Sequence, residues 1–461
     1  MKEEADMKVA VIGSSHGGFE AVRGVLKDFP DADIEWYEKG DFVSFLSCGI
    51  ELYLQNVVKN VNSVSYATPE GMEKLGVNVH INTEITDVDP EAHTLTALNV
   101  NDGKESTEKY DKLILSVGAN PFQLPVPGKE LGNIYAMRGR DWAIKLKEAE
   151  VTPGINNVTV VGCGYIGIEA AESFAKAGKN VTLVDTGKSI LPTYLDPEFT
   201  KILEAEFKKH GVKLALNQSV KEYVGDDDEN VSSVISTNGD QWDADLIIET
   251  AGIRPATDWL KGKVDLNEKG MIKTDEYQRT NQPDIFAIGD STEVTFAPTG
   301  KKQIIALATN ARRQGRSAAM NLNDEKRKTT EVSGSSGLHV FDYKFASTGF
   351  KDVTAEKAGV DVESVFVVDT AVPPFVHDDK LNAEVYFKLT FDPKTREVEG
   401  AQIMSKRDVT ANINTISLAI QQHMTVDDLA YADFFFQPSF DRPWNIMNIA
   451  AQKAQDKLDH K

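Results

Sequence analysis

The sequence predicts an α/β protein with two Rossmann-like nucleotide-binding domains and a smaller C-terminal α+β domain. Three observations predict it. Two glycine-rich turns each sit between an apolar strand and a helical pattern, and that pattern is lost after about Ser333. The length, 461 residues, is enough for roughly three domains.

In the first unit, Lys8-Val9-Ala10-Val11-Ile12 reads as a buried strand and Gly13-Ser14-Ser15-His16-Gly17-Gly18 as the turn. A helix is expected from Phe19 to about Phe29, then the strand Ile34-Glu35-Trp36-Tyr37 ending at Glu38. Glycines let the backbone approach a pyrophosphate, and the helix N-terminus favours its charge. Glu38 lies 20 residues after Gly18, where an acid can hydrogen-bond a ribose hydroxyl. Ser15 replaces the usual second glycine, so a tight turn without ligand is the competing reading. Lys112 to Ser116 is a further buried strand, closed by Val117-Gly118-Ala119.

The second unit carries the full fingerprint. Val158-Thr159-Val160-Val161 runs into Gly162-Cys163-Gly164-Tyr165-Ile166-Gly167, a helix is expected from Ile168 to about Ala177, and Val181 to Val184 ends at Asp185, 18 residues after Gly167. Asp185 suits a free 2′-hydroxyl, and Thr186-Gly187 offers no arginine for a 2′-phosphate, which favours NADH over NADPH. Leu246 to Ile248 and Asp284 to Asp290 read as returning strands, and Ile305 to Asn321 as a helix. Strands at Val365 to Val368 and Glu384 to Leu389, and a helix from Ala411 to Gln422, are expected in the last domain. The aromatic run Phe434-Phe435-Phe436-Gln437-Pro438 is expected in a core or a subunit interface. The Pro- and Gly-rich stretch from Pro121 to Gly128 marks a boundary. The expected domains are 1–120, 121–250, 251–332 (completing the first) and 333–461.

A net charge of −21, with 41% hydrophobic and 26% charged residues, points to a soluble protein and away from nucleic acid or an anionic membrane as partner. No apolar run approaches the roughly 18 residues of a membrane helix. Residues 1–6 are polar and acidic, not a signal peptide, and read as an extension before Met7. A cytoplasmic location is expected. No histidine or cysteine spacing fits a metal site.

The stretch Ser44-Phe45-Leu46-Ser47-Cys48-Gly49-Ile50 holds one of only two cysteines. The other, Cys163, lies between two glycines of the second turn and reads as a small filler. Positions 43 and 53 are Val43 and Tyr53, so no nearby thiol can pair with Cys48. A redox role would then be that of a lone thiolate oxidised reversibly to sulfenic acid. The bland alternative is a small buried hydrophobe.

These stretches resemble the flavin-dependent pyridine nucleotide–disulfide reductases, and within them the single-cysteine NADH peroxidase branch. The resemblance is carried by Gly13 to Glu20, Trp36 to Phe42, Ser44 to Gly49, Tyr165 to Glu172, Ala308 to Arg312, Phe341 to Gly349 and Tyr431 to Pro438, and runs from Met7 to about Ala450. It implies FAD in the first domain, NADH in the second, and a homotetramer or homodimer whose aromatic segment approaches the neighbouring active site. It implies Cys48, His16, Arg312 and Glu20 as the catalytic set. For FAD it implies Gly13, Ser15, His16, Gly17, Gly18, Glu38, Lys39, Cys48, Ser116, Gly118, Arg138, Asp290 and Ala308. For NADH it implies Gly162, Gly164, Tyr165, Ile166, Gly167, Asp185, Tyr194 and Gly252, with Tyr165 covering the nicotinamide side of the flavin.

The implied reaction is reduction of hydrogen peroxide to water. Water-forming NADH oxidase, acting on O2, is the alternative; Arg312 and the Ser14-Ser15-His16-Gly17-Gly18 run with Glu20 side with peroxidase. A coenzyme A-disulfide reductase would need a basic groove that this acidic chain disfavours, and a non-catalytic NADH sensor is a further reading. The chemistry asks for a Cys48 pKa lowered by nearby cations, a neutral His16 at its helix N-terminus, and Arg312 placed against peroxide or Glu20.

Overall fold

In the computed structural model, which describes residues 7–378 and 380–460, the strand Lys8–Ile12 has Val9, Ala10 and Val11 buried, as a central parallel strand covered on both faces requires. The extension read at residues 1–6 lies outside the described residues. The strand pairs in parallel with Asp33–Tyr37 and Lys112–Leu115; Val77–His80 and Ile285–Ala287 complete the five-stranded sheet at its two edges. The chain after residue 251 therefore returns to the first sheet. Its helix Ala308–Met320 packs on His16–Asp28 so closely that a Cβ on Gly315 would lie 2.4 Å from the Gly17 carbonyl oxygen.

A second five-stranded parallel sheet runs in the order Lys213–Leu216, Asn180–Asp185, Asn157–Val161, Leu246–Glu249, Ile134–Ala136. The antiparallel pair Ala119–Pro121 and Ile253–Pro255 links the two halves. A third, antiparallel sheet is ordered Ser336–Val340, Tyr343–Gly349, Val398–Ser405, Glu384–Phe391, Glu363–Thr370. The helices Asn412–Gln421, Val426–Ala430 and Ile446–Asp459 share its core through Ile416, Leu429 and Ala450.

Both nucleotide-unit helices start earlier than the pattern predicts, at His16 and Tyr165. Their first turns are glycine-rich because close packing needs bare backbone there. A Cβ on Gly18 would meet the Gly13 oxygen at 1.9 Å, and one on Gly167 the Gly162 oxygen at 1.8 Å. The meanders Thr83–Asp89, Thr94–Asn99, Glu105–Lys109 and Val220–Gly225, Val231–Ser236, Gln241–Asp243 were not expected; their polar, half-exposed strands carry little apolar signal. Phe435 and Phe436 are 72% and 46% exposed, which removes the core as their fate within this chain. Among the described residues no helix is long and apolar enough to cross a membrane.

Candidate functional site

At the carboxyl ends of the first sheet's strands lies a cleft of about 1030 Å³, lined by Gly13, Ser15, Glu38, Lys39, Ser116, Gly118 and Arg138 among others. It sits at the upper end of the ~300–1,000 Å³ range of small-molecule sites. Glu38 is fixed at its rim: Ser14 donates its backbone N at 3.1 Å and its Oγ at 2.5 Å to one carboxylate oxygen, and Gly40 N donates at 2.9 Å to the other. Arg138 Nη2 pairs with Asp290 Oδ2 at 2.7 Å, which brings the Gly-Asp pair after Ile285–Ala287 to the same cleft wall. Gly17 and Gly18 serve packing instead, against Ser116, Ile288 and Gly13.

Ser15 at the substituted glycine position has φ −73°, and Gly164, its counterpart in the second turn, also has φ −73°. Neither is left-handed, so serine is free of strain there. A Cβ on Gly164 would meet only Tyr194 at 4.0 Å. Nothing in the chain itself demands glycine at that spot; the room left suits the close approach of a pyrophosphate. Both turns thus fit a dinucleotide.

Cys48 sits in the short turn Ser47–Gly49, at the start of the helix Ile50–Leu54. The chain enters this turn through Ser44, buried at φ 59°, whose N donates to Ser14 O at 3.0 Å. Cys48 Sγ lies 3.8 Å from His16 Nε2. Arg312 Nη1 donates to Glu20 Oε2 at 3.1 Å, and its guanidinium carbon stands 4.4 Å from the Tyr66 ring centre and 5.4 Å from that of Phe19. His16 Nδ1 and Arg312 Nη2 are buried without a protein partner. Buried polar atoms of that kind call for a ligand or water. The four residues of the expected catalytic set therefore meet around one spot, with Tyr66, which the sequence reading missed, clamping Arg312. Ala308 opens the helix that carries Arg312.

Burial holds His16 below its ordinary pKa, with Arg312 and Arg138 pushing the same way and Asp290 opposing. That direction favours the neutral ring, through burial and neighbouring cations in addition to the helix dipole. Cys48 departs from expectation. Its side chain is exposed, yet the surrounding protein raises the thiol above its usual range, with Glu169 adding to the rise; a backbone hydrogen bond and Arg312 only partly offset this. The chain's own cations do not lower this pKa, because a desolvated sulfur near a carboxylate outweighs one guanidinium.

On the other side, Asp185 Oδ2 accepts from Cys163 N at 2.8 Å and Oδ1 from Gly187 N at 2.6 Å, which tightens the second turn. Cys163 is fully buried, its thiol pushed up by burial and Asp185, in keeping with a filler. Tyr165 stacks on Tyr194 at 4.0 Å between ring centres, and its OH bonds Ser336 Oγ at 2.8 Å. Ile166 follows Tyr165 in the first turn of the helix, and the carbonyl of Gly252 (φ 120°) accepts from Phe122 N at 2.9 Å.

Residues 7–315 match the pyridine nucleotide-disulphide oxidoreductase family, and residues 335–446 match the dimerisation domain of pyridine nucleotide-disulphide oxidoreductases. The chain is 42% identical to a protein named NADH oxidase from Enterococcus faecalis over 452 residues, covering 98% of this chain and 100% of the relative. It is 29% identical over 454 residues to an NAD(P)H coenzyme A polysulfide/persulfide reductase from Pyrococcus horikoshii, covering 98% and 99%. The structure of water-forming NADH oxidase from Lactobacillus brevis bound to NADH superposes with a TM-score of 0.95 at 39% identity, covering 99% of each chain. The cofactors are FAD and NADH. This chain is an NADH-dependent flavoprotein and belongs to the pyridine nucleotide-disulphide oxidoreductase family, close to the NADH oxidases.

Proposed function

We propose that the protein is an NADH peroxidase, reducing hydrogen peroxide to water through a thiolate and sulfenic acid cycle at Cys48. The observation that carries this reading is the convergence of Cys48, His16 and Arg312, with two buried polar atoms, His16 Nδ1 and Arg312 Nη2, left for a small polar ligand. The Cys48 thiolate attacks one peroxide oxygen: an S–O bond forms, the O–O bond breaks, and hydroxide leaves. Arg312, always charged, faces the developing negative charge, and neutral His16 hydrogen-bonds the reacting oxygen. Glu20 and Tyr66 keep the guanidinium in place.

Glu38, Arg138 and Asp290 would hold FAD, which when bound would supply the two-electron link between NADH and the Cys48 sulfur. With one proton, the sulfenic acid becomes thiolate and water. Because desolvation and Glu169 push the thiol up in the chain alone, a bound flavin would have to supply the environment that favours the thiolate. Residues 121–250 hold NADH, residues 1–120 and 251–332 hold FAD, and the C-terminal domain with its exposed aromatic run forms a homodimer or homotetramer in the cytoplasm.

The names of the similar proteins favour a second reading, water formation from O2 on the same scaffold. Stoichiometry decides between the two. A peroxidase consumes NADH only when hydrogen peroxide is added, one for one. Sustained NADH consumption in air, two NADH per O2 and insensitive to added catalase, would replace peroxidase by oxidase.

A further inference from the structure

Asp196 stands at the N-cap of the helix Pro197–Lys209 yet makes no side-chain hydrogen bond to its own helix. An aspartate there ordinarily caps the first turn. This one is fully buried, and its carboxylate is turned to the C-terminal domain instead. Oδ2 accepts from Gln402 Nε2 at 2.6 Å, Lys388 Nζ at 3.1 Å and Asp352 N at 3.1 Å, and Oδ1 accepts from Val353 N at 3.3 Å. Gln402 Oε1 in turn accepts from Asp196 N at 2.6 Å. Asp196 thus caps the helix Asp352–Ala358 of the other domain and is gripped by two facing strand residues, Lys388 and Gln402.

Two residues before Asp196 lies Tyr194, stacked on Tyr165. The turn that leads into Tyr194 is pinned at its start, where Leu191, at φ 50°, donates its N to Cys163 O at 2.9 Å in the glycine turn. Tyr165 is itself tied to the C-terminal sheet through Ser336 and packs against Phe345 at 5.9 Å. The Tyr165 ring is therefore anchored to the C-terminal domain through Ser336, and the segment that carries Tyr194 is anchored there two residues on, through Asp196.

From this we infer that Gln402, Lys388 and Ser336 are positioning residues for NADH: they set the Tyr165–Tyr194 pair from outside the NADH domain. The inference rests on the reading of Tyr165 as the cover of the nicotinamide side. In this arrangement the C-terminal domain does more than associate with a second copy. Its sheet determines how readily the tyrosine pair yields to the nicotinamide half of the cofactor, while the adenosine half at Asp185 is held independently.

The test is anaerobic stopped-flow reduction of the flavin-loaded protein by NADH, with ADP-ribose, which lacks nicotinamide, as a competing ligand. For Gln402→Leu, loss of a buried hydrogen-bonded strut should raise the NADH concentration for half-maximal rate about tenfold, with the limiting rate within about twofold and ADP-ribose inhibition unchanged. Ser336→Ala, at a half-buried position and removing only the Tyr165 bond, should give a smaller rise of the same kind. Gln402→Glu should bind NADH tightly at low pH, where the protonated acid donates as the amide does, and loosen as pH rises and two carboxylates face each other. Unshifted half-saturation in folded, flavin-loaded Gln402→Leu and Ser336→Ala, or equal weakening of NADH and ADP-ribose, would overturn the inference. Failure of NADH to reduce the flavin of the unaltered protein would instead remove the reading beneath it.

Discussion

Arg312 Nη1 donates to Glu20 Oε2 at 3.1 Å, tying the helix that opens at Ala308 to the one that opens at His16. The bond joins residues 292 positions apart, and it holds a guanidinium beside the cysteine turn with Nη2 unpartnered. Arg312→Ala should lower kcat/KM for peroxide by about 10²–10³, the usual cost of removing one transition-state donor. Arg312→Lys should recover little of it, because the planar fork held beside the Tyr66 and Phe19 rings has no ammonium equivalent. Anaerobic flavin reduction by NADH should be unaffected in both. Peroxide kinetics that survive Arg312→Ala would remove the guanidinium from the mechanism.

The pH profile follows from His16. Burial and Arg312 hold its folded pKa below 6.5, so it stays neutral as pH falls through the ordinary histidine range. The acid limb of kcat/KM for peroxide should therefore lie below that range. A limb near 6.5 that vanishes in His16→Gln would show that the ring titrates normally and gains charge in the working range.

Glu169 titrates at about 8 in the folded chain, raised from 4.5 chiefly by burial and then by Glu51 and Glu172. The folded state thus binds an extra proton between those values. Its stabilising share is full below 4.5 and is lost as pH rises through about 8. Glu169→Gln should melt higher than the unaltered protein at alkaline pH, by at least about 2 °C, and the gap should close toward pH 5. A gap independent of pH would assign the effect to packing.

Gly167→Ala would place a methyl 1.8 Å from the Gly162 carbonyl oxygen, a backbone atom that cannot yield without opening the second turn. A destabilisation above about 2 kcal/mol, with weakened NADH binding, is the expected outcome in denaturant melts. A neutral substitution would mean that the strand-to-helix turn is looser than its packing indicates.

The glycine turns, their flanking strands and the acids Glu38 and Asp185 were legible because each answers a local backbone demand that glycine or a strand-end carboxylate alone meets. Cys48 was legible as a lone thiol because no second cysteine is near in sequence. The meeting of Arg312 with Glu20 was legible only through the family resemblance, since periodicity gives no sign of a contact across the fold. Tyr66, 16 residues beyond the end of the cysteine stretch at Ile50, left no signal at all. The raised thiol of Cys48 was missed for a related reason: desolvation depends on what the tertiary fold packs around the turn, and the charge of Glu169 from the second domain adds to it. The stretch Leu195-Asp196-Pro197 gives no local sign that Asp196 serves another domain's helix; only the tertiary fold shows it.

The central claim is that Cys48 stores oxidising equivalents by itself, and anaerobic titration with NADH tests it most directly. After treatment with peroxide and its removal, the flavin-loaded protein should take up about two electron equivalents per FAD before the flavin colour bleaches, as an S–OH centre requires. Cys48→Ser should bleach from the first addition. Peroxide-treated unaltered protein that bleaches from the first addition, as the serine variant does, would contradict the account.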